Sequence, residues 1–287
     1  NNIRLINTHT SIPHLLNYQS GSDYICSERK FPSSIEDYSN NDLFASLDGD
    51  ADRVVFYFSD QGKFCLLDGD RIISLIVYYL STILPMTEFY IGVVHTAYSN
   101  GHFIDYLKKY QVTTECVATG VKHLHAAALK YDIGIYFESN GHGTVLIKND
   151  FSYLFPKIQR LKEMCNQLIG DAMSDFLAVL TILDELQMSP SEWYNLYQEK
   201  PSMISKITIP VQSNIVFETT PDQSKLIKPA KLQTQIDHLC KKYPECFVFV
   251  RPSGTESCLR YYIECQDEEL IPGIENKLLF HIQCCFS

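Results

Sequence analysis

Apolar and polar positions follow two rhythms along the chain, one of strand type and one of helical type. Residues 1–42 carry neither; they are polar and irregular, with Ser20-Gly21-Ser22, Pro32, Ser33-Ser34 and Ser39-Asn40-Asn41-Asp42, and read as the tail of a domain. A strand, a loop and a strand follow: LFASL, Asp48-Gly49-Asp50-Ala51-Asp52-Arg53, then VVFYF. A hairpin turn at 59–63 leads into the returning strand FCLL. From 70 to 148 the pattern alternates. Helices at 71–84, 102–110 and 122–131 precede the strands FYIGVVHTAY, VTTECVAT and IGIYFE, and the last of these turns at Ser139–Gly143 and returns as TVLIK. Alternating strands and helices predict parallel pairing in an α/β layer.

A helical pair is expected over 156–200, broken near Pro190-Ser191, and Pro201 and Pro210 bracket an expected linker. The last unit then reads strand, helix (230–243), strand CFVFV, loop, strand CLRYYIEC and helix, a compact α+β arrangement. The fold class expected is therefore α/β with mixed sheets, followed by a smaller α+β C-terminal domain. The domain boundaries expected are 1–58, 59–200 and 201–287.

Composition narrows the partners. The longest apolar run, from Ile72 to Met86, falls short of the ~18–20 residues that cross a bilayer, so it reads as a buried helix and no membrane partner is expected. A net charge of -10 without a basic stripe argues against nucleic acid, because nothing there neutralises a phosphate backbone. The 10 cysteines form no C-x-x-C pair, and several, such as Cys116 and Cys265, replace small apolar residues in strands. Free thiols in a reducing cytoplasm are expected. The chain begins at Asn1 without a signal-peptide pattern and is expected to be processed or a piece of a longer protein.

Three loops carry candidate chemistry. Asp48, Asp50 and Asp52 alternate with small residues, and three carboxylates so crowded repel unless a hard cation such as Mg2+ joins them. An EF-hand fits poorly, since Arg53 stands where glycine is needed and Ser59 where a glutamate is needed. An aspartyl-phosphate phosphatase is a better rival, although Asp52 then occupies a position that wants a small or hydroxyl residue. An acidic surface turn is the plain alternative. The second loop, Glu138-Ser139-Asn140-Gly141-His142-Gly143, gathers groups that can hydrogen-bond sugar hydroxyls, yet Asn-Gly is also a common hairpin turn. The third, Arg251-Pro252-Ser253-Gly254-Thr255-Glu256, offers backbone amides, two hydroxyls and a guanidinium to a phosphate dianion, with Arg260 on the next strand in reach of the same anion.

In this order and spacing, DGDADR, ESNGHG and RPSGTE resemble the metal, sugar and phosphate loops of the α-D-phosphohexomutase superfamily. GVVHTAYSNG, ATGVKHLH, YDIGIYFESNGHGTVLI and NQLIGDAMSDFLAV narrow the resemblance to the phosphoacetylglucosamine type, over about 16–264. The resemblance implies an isomerase that interconverts N-acetylglucosamine 6-phosphate and 1-phosphate through a phosphoserine and a bisphosphate. It implies that Asp48, Asp50 and Asp52 hold Mg2+, that Glu138, Ser139, Asn140 and His142 touch the sugar, and that Arg251, Pro252, Ser253, Gly254, Thr255 and Arg260 hold the phosphate not being transferred. The expected partner is a small hexosamine phosphate. A Thr-Ala-Ser-His-Asn-Pro type of serine loop is absent, so no catalytic residue is assigned here and the chain alone is expected to be inactive. A non-catalytic phosphosugar-binding protein and another phosphohexose mutase are the alternatives.

Overall fold

In the computed structural model, which describes residues 3–8, 11–16, 18–148, 153–210 and 215–286, the apolar run after the aspartate loop becomes the most deeply buried strand of its sheet. β1 (Phe44–Leu47), β2 (Val54–Asp60) and β3 (Lys63–Leu67) form an antiparallel sheet with β2 central. Both faces of β2 are covered, which is why its sequence is continuously apolar rather than alternating. Gln61 and Gly62 join β2 to β3 at φ values of 50° and 82°, the left-handed pair that a two-residue hairpin requires.

The polar stretch before β1 contains a helix that its composition hides, α1 (Ser22–Glu28). It is held by one apolar contact set: Ile25, fully buried, packs with Val55, Tyr57 and Leu66, and Phe31, Phe44 and Phe64 close over them. A seven-residue helix has no stability of its own, so propensity gives no sign of it.

α2 (Gly69–Ile83) is capped by the Asp68 carboxylate, which accepts from the Arg71 amide, and is buried on nearly every side. The buried Arg71 guanidinium donates to the carbonyls of Tyr194 and Tyr197 at 2.6 and 2.7 Å and lies against both rings. It fastens α2 to the turn after α7 (Pro190–Tyr194), with α5 (Pro156–Met164) and α6 (Ala172–Leu186) between them in the chain.

The α/β layer follows the expected order. β4 (Ile91–His95), α3 (Gly101–Lys108), β5 (Thr113–Cys116), α4 (Val121–Ala128), β6 (Ile133–Phe137) and β7 (Gly143–Ile147) build a sheet of order β5-β4-β6-β7. β4 and β6 are parallel, and β6 and β7 form an antiparallel hairpin, so the sheet is mixed.

The chain divides into two compact units. The first contains Asn1–Val94, Tyr106–Glu115 and Leu124–Tyr197; the second contains His95–Asp105, Cys116–His123 and Gln198–Ser287. In the second, β11 (Phe247–Pro252), β12 (Cys258–Glu264) and β8 (Ser202–Thr208) make an antiparallel sheet, with β9 (Glu218–Thr219), β10 (Leu226–Lys228), α8 (Ala230–Lys242) and α9 (Ile271–Phe286) beside it.

The expected linker between Pro201 and Pro210 is therefore corrected: most of it is β8, a sheet-edge strand. Its alternation puts Met203 and Ile207 on the core, while Ile204 stays 55% exposed. Flanking prolines disguise such an edge strand, because an edge tolerates proline that a central strand does not. Among the described residues no helix is long and apolar enough to cross a membrane, and all ten cysteines are free thiols.

Candidate functional site

The aspartate loop is a tight turn folded around its first carboxylate. Asp48 Oδ1 accepts from the amides of Asp52 and Arg53, each at 3.1 Å, and Ala51 takes the left-handed conformation at φ 58°. This brings Asp48, Asp50 and Asp52 together, with one ligand oxygen from each lying within 4.8 Å of the others. Burial pushes the Asp48 carboxyl up, but hydrogen bonds from the Asp52 side chain and the Arg53 amide hold it below the usual carboxylate range. Asp52 is pushed above that range by burial and by its contact with Asp48. Asp52 Oδ1 is buried without a hydrogen-bond partner, and its charge contact is the Arg53 guanidinium at 3.5 Å. Arg53 in turn spans Asp48, Asp52 and both oxygens of Asp23. Three converging carboxylates, one with an orphaned buried oxygen, suit a small oxygen-seeking dication.

The Glu138–Gly143 hairpin lies directly against this loop. Val54 donates its amide to the Gly141 carbonyl at 3.3 Å, and Arg53 and His142 form an isolated β-bridge. His142 Nδ1 sits 3.3 Å from Asp52 Oδ2, so the histidine expected to meet a sugar also contacts a carboxylate expected to hold a metal. Gly141 is needed there: at φ 86°, an added Cβ would lie 1.9 Å from the Val54 carbonyl oxygen. The Glu138 main chain closes the turn through bonds with Gly141 and His142, the Ser139 carbonyl accepts the Cys26 thiol, and Asn140 Oδ1 accepts the His142 amide. Asn140 is thus partly engaged in shaping its own turn. α6 supports the aspartate loop from its N-terminal end, where the Ala172 amide donates to the Ala51 carbonyl at 3.0 Å.

In the second unit, the RPSGTE turn connects β11 to β12. Ser253 Oγ accepts from the amides of Thr255 and Glu256, and the Ser253 amide donates to the Cys258 carbonyl. Gly254 faces open space, with nothing within 4 Å of an added Cβ. Arg251 and Arg260 are directly opposed across the strand pair, so the two guanidinium groups share one face of the sheet. Arg251 Nε donates to the Tyr98 hydroxyl at 3.0 Å, and the guanidinium carbon lies 5.4 Å from the centre of that ring. Tyr98 itself stands edge-on to Phe249. The Thr119–Lys122 segment opens α4, and there the Thr119 amide donates to the Gln223 side-chain oxygen.

Sequence reasoning missed Cys26 and Tyr98, which touch the candidate residues Ser139 and Arg251 from distant positions, and Asp23, which holds Arg53 of the aspartate loop. No local pattern marks them.

The fold agrees with the comparisons. The family profile for phosphoacetylglucosamine mutase AMG1, domain III matches residues 68–188, and that for domain II of the same enzyme matches 1–55. The phosphoglucomutase/phosphomannomutase C-terminal domain matches 216–279. Phosphoacetylglucosamine mutase of Saccharomyces cerevisiae is 40% identical, over 98% of this chain and 54% of that protein. The human phosphoacetylglucosamine mutase is 38% identical, over 88% of this chain and 50% of its own length. The chain thus spans about half the length of the curated relatives it matches. The crystal structure of Aspergillus fumigatus N-acetylphosphoglucosamine mutase in complex with GlcNAc-6P and magnesium superposes with a TM-score of 0.89 at 35% identity, covering 98% of this chain and 60% of that one.

Proposed function

The chain belongs to the phosphoacetylglucosamine mutase family, and we propose that it supplies the metal-, sugar- and phosphate-binding parts of an enzyme interconverting N-acetylglucosamine 6-phosphate and 1-phosphate. The observation that carries this reading is the fusion of the aspartate loop to the sugar hairpin, through the Val54–Gly141 bond and the Asp52–His142 contact. A metal turn and a sugar turn locked to one another serve a reaction in which both act on the same molecule.

Asp48, Asp50 and Asp52 hold Mg2+ in this reading, and the ion supplies charge withdrawal from a transferring phosphoryl group. His142 fixes Asp52 and, with Glu138, Ser139 and Asn140, orients the ring. Arg251, Ser253, Thr255 and Arg260 grip the resting phosphate, and the backbone at Pro252 and Gly254 leaves it room. A serine loop of the kind the resemblance implies does not occur in the 287 residues, so this chain is assigned binding and electrostatic work, with no group that carries the phosphoryl. A cytoplasmic setting and the division at 1–58, 59–200 and 201–287 are part of the same proposal.

A binding panel of N-acetylglucosamine, glucose and mannose 6-phosphates tests the substrate. The N-acetyl sugar is expected to bind at least fivefold tighter than the other two. Equal affinity for all three would assign the chain to a different phosphohexose.

A further inference from the structure

The sheet beneath the phosphate turn aligns three cations in one cross-strand row. Arg251 on β11 opposes Arg260 on β12, and Arg260 opposes Lys206 on β8. Directly opposed residues of antiparallel strands project from the same face, with Cβ atoms about 4.5–5.5 Å apart, and like charges placed there repel. One carboxylate offsets the row. Glu256 Oε1 lies 2.9 Å from Lys206 Nζ, and Glu256 Oε2 lies 2.9 Å from Arg260 Nη2. Arg251 makes no ion pair among the described residues and is held by the Tyr98 hydroxyl and the Pro252 carbonyl instead. Three positive charges thus meet one negative charge at the end of the hairpin that carries Ser253, Gly254 and Thr255.

An excess of cationic charge kept at an exposed turn is costly without an anion to receive. Nothing in packing demands Lys206, whose side chain is 58% exposed. The two Glu256 pairs are solvent-screened and weak, so an incoming group of higher charge can displace them. A phosphate monoester carries close to two negative charges near neutral pH and three acceptor oxygens, against one charge and two oxygens for a carboxylate.

We infer that Lys206 belongs to the phosphate site with Arg251 and Arg260, and that Glu256 is an internal counter-ion that the phosphate of the ligand displaces from Lys206 and Arg260. The inference rests on the phosphate-binding role proposed above for the RPSGTE turn and adds a cation and a competitor to it.

Calorimetric titration of N-acetylglucosamine 6-phosphate into the 287-residue chain, at low ionic strength, tests it. Lys206→Met is expected to weaken binding at least fivefold, Lys206→Arg to restore it to within twofold, and Glu256→Gln to tighten it about threefold. Binding to Lys206→Met should also depend less steeply on added salt. Melting curves that match the unsubstituted chain exclude misfolding. Arg251→Ala serves as the reference: if the unsubstituted chain does not bind, or Arg251→Ala binds equally well, the phosphate-site reading fails and the inference falls with it. If Arg251→Ala abolishes binding while Lys206→Met leaves it unchanged, the Lys206 assignment alone is overturned. Unchanged or weaker binding by Glu256→Gln overturns the counter-ion role.

Discussion

At the scale of single residues, the aspartate trio and a remote carboxyl make opposite demands. Asp50 takes no part in the backbone hydrogen bonds that Asp48 Oδ1 accepts to shape the loop, so Asp50→Asn should fold normally and lose a ligand. A ligand at 100 times its dissociation constant stabilises by about 2.7 kcal/mol. Saturating Mg2+ is expected to raise the melting temperature of the unsubstituted chain and to lose most of that effect in Asp50→Asn. An equal rise in both proteins would remove Asp50 from the site.

Asp175 lies 2% exposed on α6, its Oδ2 without a hydrogen-bond partner, and burial pushes its carboxyl well above the ordinary value. The folded group therefore keeps its proton where the unfolded one, near its usual value of about 3.9, has lost it. The stability tied to that proton is present below about pH 4 and is lost as pH rises toward the folded value. Asp175→Asn removes the titration. It should melt above the unsubstituted chain at about pH 8, and the gap should close toward about pH 4. A gap independent of pH, read from melts across that range, would contradict the assignment.

At the scale of elements, the candidate site depends on how one hairpin docks on one loop. Gly141→Ala would put a methyl into the Val54 carbonyl and force an L residue to φ 86°. The substitution is expected to cost about 1–3 kcal/mol of stability and to blunt the Mg2+ response, because the hairpin can no longer seat beside Asp52. Loss of stability with an intact Mg2+ response would show that the two turns work independently.

Much of this level was legible beforehand. The alternation over 70–148 revealed the α/β layer, and the spacing of Asp48, Asp50 and Asp52 marked carboxylates that the fold brings together. What stayed hidden has a physical reason in each case. α1 exists because Ile25 finds Val55 and Tyr57, a contact no local rhythm encodes. β8 sits at a sheet edge, where prolines at its ends look like a linker. The Asp52–His142 contact joins positions 90 residues apart, which spacing along the chain does not reveal.

At the scale of the whole molecule, family membership and two compact units are established, and the aspartate loop and the Glu138–Gly143 hairpin, which lie in the same unit, are where the proposed function is tested first. The most direct measurement is a pair of calorimetric titrations of N-acetylglucosamine 6-phosphate into the chain, with Mg2+ saturating and with Mg2+ removed by chelation. If the metal turn and the sugar turn serve the same molecule, Mg2+ tightens the sugar phosphate at least fivefold, and the sugar phosphate tightens Mg2+ by the same factor. Affinities that ignore one another, or a folded chain that binds neither ligand, would contradict the account.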